Sequence, residues 1–236
     1  MRHALATLGL GPVLLVQGRH VRRVTPRLPE AAGPREGVEG SGPALRLLVL
    51  GDSAAAGVGV ETQSQALSGR LVAALAPQWR VEWKLVAHTG HTAQEVLTQL
   101  QQEPSRDFDI VITSTGVNDV TAGTTPRRWL EAKQGLRELL DQRFGGPLLL
   151  LSSLPPMQRF PALPQPLRWY LGLRAQRLNH ALSTWAQARE NCLFVPVGFT
   201  LQEGMMAADG FHPGAVAYAQ WAEQLATLIL RRLATG

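Results

Sequence analysis

The sequence predicts an α/β domain in which parallel strands lie between two layers of helices. Three observations predict it. Aliphatic runs without polar alternation, at 44–51 and 147–151, suit strands buried on both faces. Stretches with helical spacing separate the strands, joined by connections long enough for crossovers. Small polar turns follow the strands, where open α/β sheets collect their ligands.

The first strand covers 44–51. Gly51 has no Cβ, so the chain can bend there and leave Ser53 at the strand's carboxyl end. Residues 66–76 have helical spacing and stop at Pro77. Residues 81–87 alternate like a strand near a sheet edge. Thr92 and Glu95 form a capping-box pattern that opens a helix running to Gln102. A third strand covers 108–113. Thr125 and Pro126 supply an N-cap and a first helical residue, and Gly145 terminates that helix after Phe144. A fourth strand starts at 147, residues 167–189 are largely helical, and 193–197 form a fifth strand. Tyr218, Trp221, Leu225 and Leu228 mark one face of the last helix.

The 236 residues suit one domain with an extra segment, and 45% hydrophobic against 17% charged residues is a globular composition. Cys192 is the single cysteine, which excludes an internal disulfide. It opens an apolar run, as a buried, inert thiol would. The net charge of +5 is concentrated at the start: residues 1–40 hold six arginines against three glutamates. No stripe of basic and aromatic residues follows, which argues against nucleic acid as a partner.

The N-terminus divides the readings. Arg2 and His3 precede an apolar run at 4–16 that resembles the start of an export signal. The run is shorter than the roughly 20 residues needed to span a bilayer, and Gly11-Pro12 interrupts it. Arg19, Arg22 and Arg23 come next, without a small-x-small cleavage site, and favour keeping the following chain in the cytoplasm. Association of residues 1–27 with a membrane surface is the preferred expectation. A terminal helix packed on the protein's own body is its rival. Residues 26–43 are rich in Pro, Gly, Glu and Arg and read as a linker, so a segment 1–43 precedes a domain 44–236.

Four polar clusters fall where the sheet's loops would meet. They are Gly51-Asp52-Ser53, His88-Thr89-Gly90-His91, Gly116-Val117-Asn118-Asp119 and Asp209-Gly210-Phe211-His212-Pro213. A serine is a poor nucleophile until a base removes its proton and a third group holds that base. Asp209 and His212 are three apart on a tight turn, so the carboxylate can reach Nδ1 while Nε2 points at Ser53. Pro213 suits the first turn of the last helix and would anchor His212.

In this order the four clusters resemble the GDSL/SGNH hydrolase superfamily, over about residues 45–232. The resemblance implies a flavodoxin-like three-layer α/β/α sandwich whose parallel sheet has about five strands in the order 2-1-3-4-5. It also implies serine esterase chemistry without metal or cofactor. Ser53 would be the nucleophile, His212 the base and Asp209 its orienting acid. The amides of Ser53 and Gly90 and the side chain of Asn118 would form the oxyanion hole. Ala54 stands where the family's Gly-Asp-Ser motif usually continues with leucine.

The expected reaction is hydrolysis of short- to medium-chain acyl or acetyl esters through an acyl-enzyme on Ser53. Acyl transfer, deacetylation and lysophospholipase or thioesterase activity would use the same residues. A non-catalytic binding module on this fold is a further alternative. Gly51, Gly57 and Gly59 do not have dinucleotide-loop spacing, and His88 with His91 lacks an evident third zinc ligand. The long proline-rich connection after the fourth strand is expected to wall the pocket. Met157, Phe160, Leu163 and Trp169 would line it, with Met205, Met206 and Phe211 opposite.

Overall fold

A computed structural model describes residues 2–197 and 204–234, and side chains from Gly9 onward. Leu5 and Leu8 of the N-terminal apolar run thus fall outside the described side chains. Among the described residues six strands form one sheet: β1 (Glu36–Glu39), β2 (Ala44–Gly51), β3 (Arg80–Ala87), β4 (Ile110–Ser114), β5 (Leu148–Ser152) and β6 (Cys192–Val195). Their order across the sheet is β1-β3-β2-β4-β5-β6. From β3 to β6 every pairing is parallel, which is the expected 2-1-3-4-5 arrangement once β1 is set aside.

Alternation within the aliphatic strands feeds two cores. Leu45, Leu47 and Val49 of β2 pack with α2 (Leu67–Leu75) and α7 (Ala215–Leu233) on one face of the sheet. Leu48 and Leu50 pack with α3 (Ala93–Gln102), α5 (Pro126–Arg143) and α6 (Leu167–Gln187) on the other. Both faces of β2 are therefore dry, which is why its sequence shows no polar alternation.

The helix ends follow local chemistry. Thr92 and Glu95 form the reciprocal capping box of α3, and Thr125 accepts from the Arg128 amide at the start of α5. A short helix, α4 (Val117–Ala122), follows β4 inside the cluster that carries Asn118.

The stretch 26–43 does not behave as a linker throughout. Strand β1 pairs antiparallel with β3, and Arg35 donates to the Ala87 carbonyl at 2.6 Å. Ala31 is buried, and Ala32 bridges to Thr62. All four β1 residues are exposed. The strand is held by backbone hydrogen bonds at a sheet edge, which leave no hydrophobic pattern to read. The sixth strand escaped the sequence for that reason.

Helix α1 (Arg2–Val24) lies against α6. Leu14 and Val21 are buried, and the Gln17 side chain donates to the Gln165 carbonyl and accepts from the Leu167 amide. Val13, Leu15 and Val16 remain exposed, followed by exposed Arg19, Arg22 and Arg23. Among the described residues no helix is long and apolar enough to cross a membrane.

Candidate active site

Strand register brings the loops to one edge. Gly51 at the end of β2 stands level with Ala87 of β3 and Ser114 of β4. The chain segments after all three strands thus leave the sheet side by side, the position expected for ligands in such folds. Gly51 is required by close approach: a Cβ there would lie 2.4 Å from the Ser114 carbonyl oxygen and 2.5 Å from the Ala55 Cβ. Just beyond, the Ser53 carbonyl accepts from the Val58 amide, and the Tyr218 hydroxyl of α7 donates to the Val58 carbonyl at 2.8 Å. The loop holding Ser53 is pinned from both sides.

The chain before α7 brings the other half. Asp209 Oδ1 accepts from the amides of Phe211 and His212 at 2.9 and 3.0 Å, closing a tight turn. Its Oδ2 lies 2.5 Å from His212 Nδ1, and His212 Nε2 lies 2.9 Å from Ser53 Oγ. Asp209, His212 and Ser53 therefore form one continuous relay. Burial pushes the Asp209 carboxyl up, but hydrogen bonds from the His212 ring and from the His212 and Phe211 amides outweigh it. The group is held below the usual carboxylate range. Gly59 lets this turn dock on the Ser53 loop: its φ is +107°, and a Cβ there would sit 2.2 Å from the Pro213 carbonyl oxygen.

Asn118 is the second residue of α4, and its Nδ2 donates to the His91 carbonyl at 3.0 Å. That bond ties the cluster after β4 to the one after β3, and leaves the carboxamide's second N–H uncommitted by it. Gly90 has a φ of +90° in this same turn, and the His88 amide donates to the Gly51 carbonyl at 3.3 Å. Gly90 thus sits on a loop, and Asn118 in the first turn of α4, held beside the Ser53 loop.

A cleft opens at Ser53 and His212. Phe160, Met206 and Phe211 line it, as the sequence suggested. The other four proposed pocket residues do not. Met157, Leu163 and Met205 are buried in the cores on either side of the sheet, and Trp169 is 43% exposed. The reason is the path of the chain after β5. A single 3₁₀ turn at Met157–Arg159 packs beneath α6, which turns Met157 inward, while Trp169 lies on the outer surface of α6.

In their place the walls use Val117, Leu154, Pro155, Val197 and Trp221. Val117 and Leu154 follow strand ends within three residues, a positional signal the sequence already contained. Sequence reasoning also missed three buried charged groups around the cleft, Asp52, Asp119 and Lys133. The signal for Lys133 was its place in the apolar stripe of α5, between Trp129 and Leu136.

Residues 49–220 match the model of the GDSL-like Lipase/Acylhydrolase family. The chain is 29% identical to the GDSL-like esterase Rv1075c of Mycobacterium tuberculosis (strain ATCC 25618 / H37Rv), over 93% of this chain and 76% of that protein. Its fold is similar to that of a lipolytic G-D-S-L family member from Veillonella parvula DSM 2008, with a TM-score of 0.63 at 16% identity, covering 79% of this chain and 99% of that one. It is similar also to TesA, with a TM-score of 0.60 at 22% identity, covering 76% and 95%. With the family model spanning most of the sequence and the sheet order in agreement, this chain belongs to the GDSL-like lipase/acylhydrolase family.

Proposed function

We propose that the protein is a serine esterase that hydrolyses short- to medium-chain carboxylic esters through an acyl-enzyme on Ser53. One observation carries the proposal: the relay from Asp209 through His212 to Ser53, with contacts of 2.5 and 2.9 Å. Ser53 Oγ attacks the ester carbonyl while His212 Nε2 takes its proton, and Asp209 stabilises the charged ring. The negative charge on the carbonyl oxygen is met by the amides of Ser53 and Gly90 and by the Asn118 carboxamide. His212 then protonates the leaving alcohol. A water molecule enters, gives its proton to His212, and its oxygen attacks the acyl carbon. The acid departs and Ser53 recovers its proton.

The cleft supports the substrate class. Its walls are largely apolar, with Leu154, Phe160, Met206 and Phe211 beside the relay, which suits an acyl chain of a few carbons better than a polysaccharide. The experiment is a panel of p-nitrophenyl esters from acetyl to palmitoyl, assayed with the wild type and Ser53→Ala. The expected result is highest turnover on the shorter esters and a loss of at least about 10³-fold in the variant. Equal turnover by the variant, or none by the wild type on any ester, would overturn the proposal.

The exposed faces of α1 add a location to this reading. Val13, Leu15 and Val16 followed by Arg19, Arg22 and Arg23 suit an anionic lipid surface, apolar groups entering and arginines at the headgroups. Full-length protein is expected to float with phosphatidylglycerol vesicles, and replacement of the three arginines by glutamate to abolish it. Absence of flotation would leave α1 as a helix packed on the body through Leu14 and Val21.

A further inference from the structure

Three charged side chains are sealed under the loops of the cleft, and the reaction as derived uses none of them. Lys133 is 2% exposed, Asp119 2% and Asp52 3%. A charge withdrawn from water at this depth is costly unless partners compensate it. Each of the three is engaged. Lys133 Nζ donates to Thr115 Oγ1 at 2.5 Å. Asp119 Oδ2 accepts from the Ala93 amide at 2.9 Å, and Asp52 Oδ1 accepts from the Ala54 amide at 3.1 Å.

These contacts reach three different segments. Asp52 directly precedes Ser53 and fixes the first turn of its loop. Asp119 directly follows Asn118 and holds the start of α3, just beyond Gly90 and His91. Thr115 lies between β4 and α4 and lines the cleft. Lys133, on α5, touches the Thr115 segment through its hydrogen bond and acts on the other two through charge alone, that of Asp119 and of Asp52.

We infer that Lys133 is a positioning residue, a buried ammonium that clamps the loops carrying Ser53 and Asn118 from beneath. The inference rests on the esterase reading above. Without the ammonium the two carboxyls, which burial already holds high, Asp52 at about 7, would lose the positive charge that favours their ionised form. The segments they hold, each one residue from Ser53 or Asn118, would lose their common anchor. Burial draws the Lys133 pKa down to about 8, against the pull of Asp119 and Asp52. Among the described residues these two carboxylates are the charged groups that act on it, and Asp52 in turn feels His212.

The test compares the wild type with Lys133→Met, which keeps the aliphatic stem, and with Thr115→Val, which removes the hydrogen-bond acceptor. Readouts are kcat and KM on a short p-nitrophenyl ester, the rate of Ser53 labelling by a fluorophosphonate, and the melting temperature. Lys133→Met is expected to lose about 10- to 100-fold in kcat and in labelling rate, the scale of a small misplacement of reacting groups. KM should stay within about twofold, because the walls of the cleft are untouched. Thr115→Val should fall in the same direction by less. Wild-type kcat is expected to decline as rising pH removes the Lys133 proton near pH 8, and the methionine variant should lack that limb. Adding Asp119→Asn to Lys133→Met should restore part of the loss, since the remaining carboxyl, Asp52, then has no like charge beside it.

Wild-type kcat, labelling rate and pH profile in Lys133→Met would overturn the clamp while leaving the esterase proposal intact. If Lys133→Met fails to fold, Thr115→Val decides: unchanged kcat and pH profile there overturn the clamp. A wild type inert to both ester and fluorophosphonate would overturn the esterase reading and the clamp with it.

Discussion

The turn at 209–213 and the connection at 153–166 are neighbouring walls of one cleft, and they are built in opposite ways. The turn sets its geometry within four residues: Asp209 caps the amides of Phe211 and His212 and meets the His212 ring. The connection closes only backbone turns, Arg159 to Pro156, Phe160 to Met157 and Leu163 to Phe160, and no side chain caps its 3₁₀ turn. Its shape comes from packing against α6 and from long-range contacts with the turn itself. The Ala162 amide donates to the Gly210 carbonyl at 3.2 Å, and the Phe160 and Phe211 rings meet edge to face at 5.2 Å. Chemistry written in short spacings survives whatever surrounds it, whereas a specificity wall depends on how distant surfaces settle together.

Substitutions can break or sharpen this contrast. The largest effect is expected in the turn. Asp209→Asn should cost about 10³- to 10⁴-fold in kcat, because the amide no longer holds the ring in the working tautomer. Stopped-assay kinetics with an unchanged melting curve would establish it, and a loss below tenfold would detach Asp209 from the relay. Next comes the oxyanion donor. Asn118→Ala should lower kcat by about 10²- to 10³-fold with little change in KM. Wild-type turnover in that variant would remove Asn118 from the hole.

The smallest effects belong to the connection, and there the sign of the comparison matters. Phe160→Ala enlarges the cleft and should raise kcat/KM for longer esters relative to butyrate by about tenfold, the scale of a few methylenes in an apolar pocket. Trp169→Ala, on the outer surface of α6, should leave the chain-length profile within about twofold. A profile that moves with Trp169 and not with Phe160 would reverse the assignment of the wall.

Legibility followed the same division. Ser53, Asp209 and His212 could be named from the order and spacing of their clusters, and the structure brings the three within hydrogen-bond reach. Of the seven pocket residues named from apolarity alone, Phe160, Met206 and Phe211 reach the cleft. Met157, Leu163 and Met205 are spent on the cores instead. An apolar side chain in a long connection is equally suited to lining and to packing, and nothing in its identity separates the two. Lys133 shows the converse. A lysine in an apolar helical stripe reads as a solvated interruption until the loops that bury it are in place.

From the sequence alone came the alternation of strand and helix, the caps of α3 and α5, and the pairing of Asp209 with His212. Each depends on an aliphatic run or on residues a few positions apart, and such interactions are the same in any surroundings. Only the tertiary structure decided that 36–39 joins the sheet, which apolar residues face the cleft, and that Lys133 is buried against Thr115. Burial is a property of surfaces contributed by distant segments. It exists only once those segments have met.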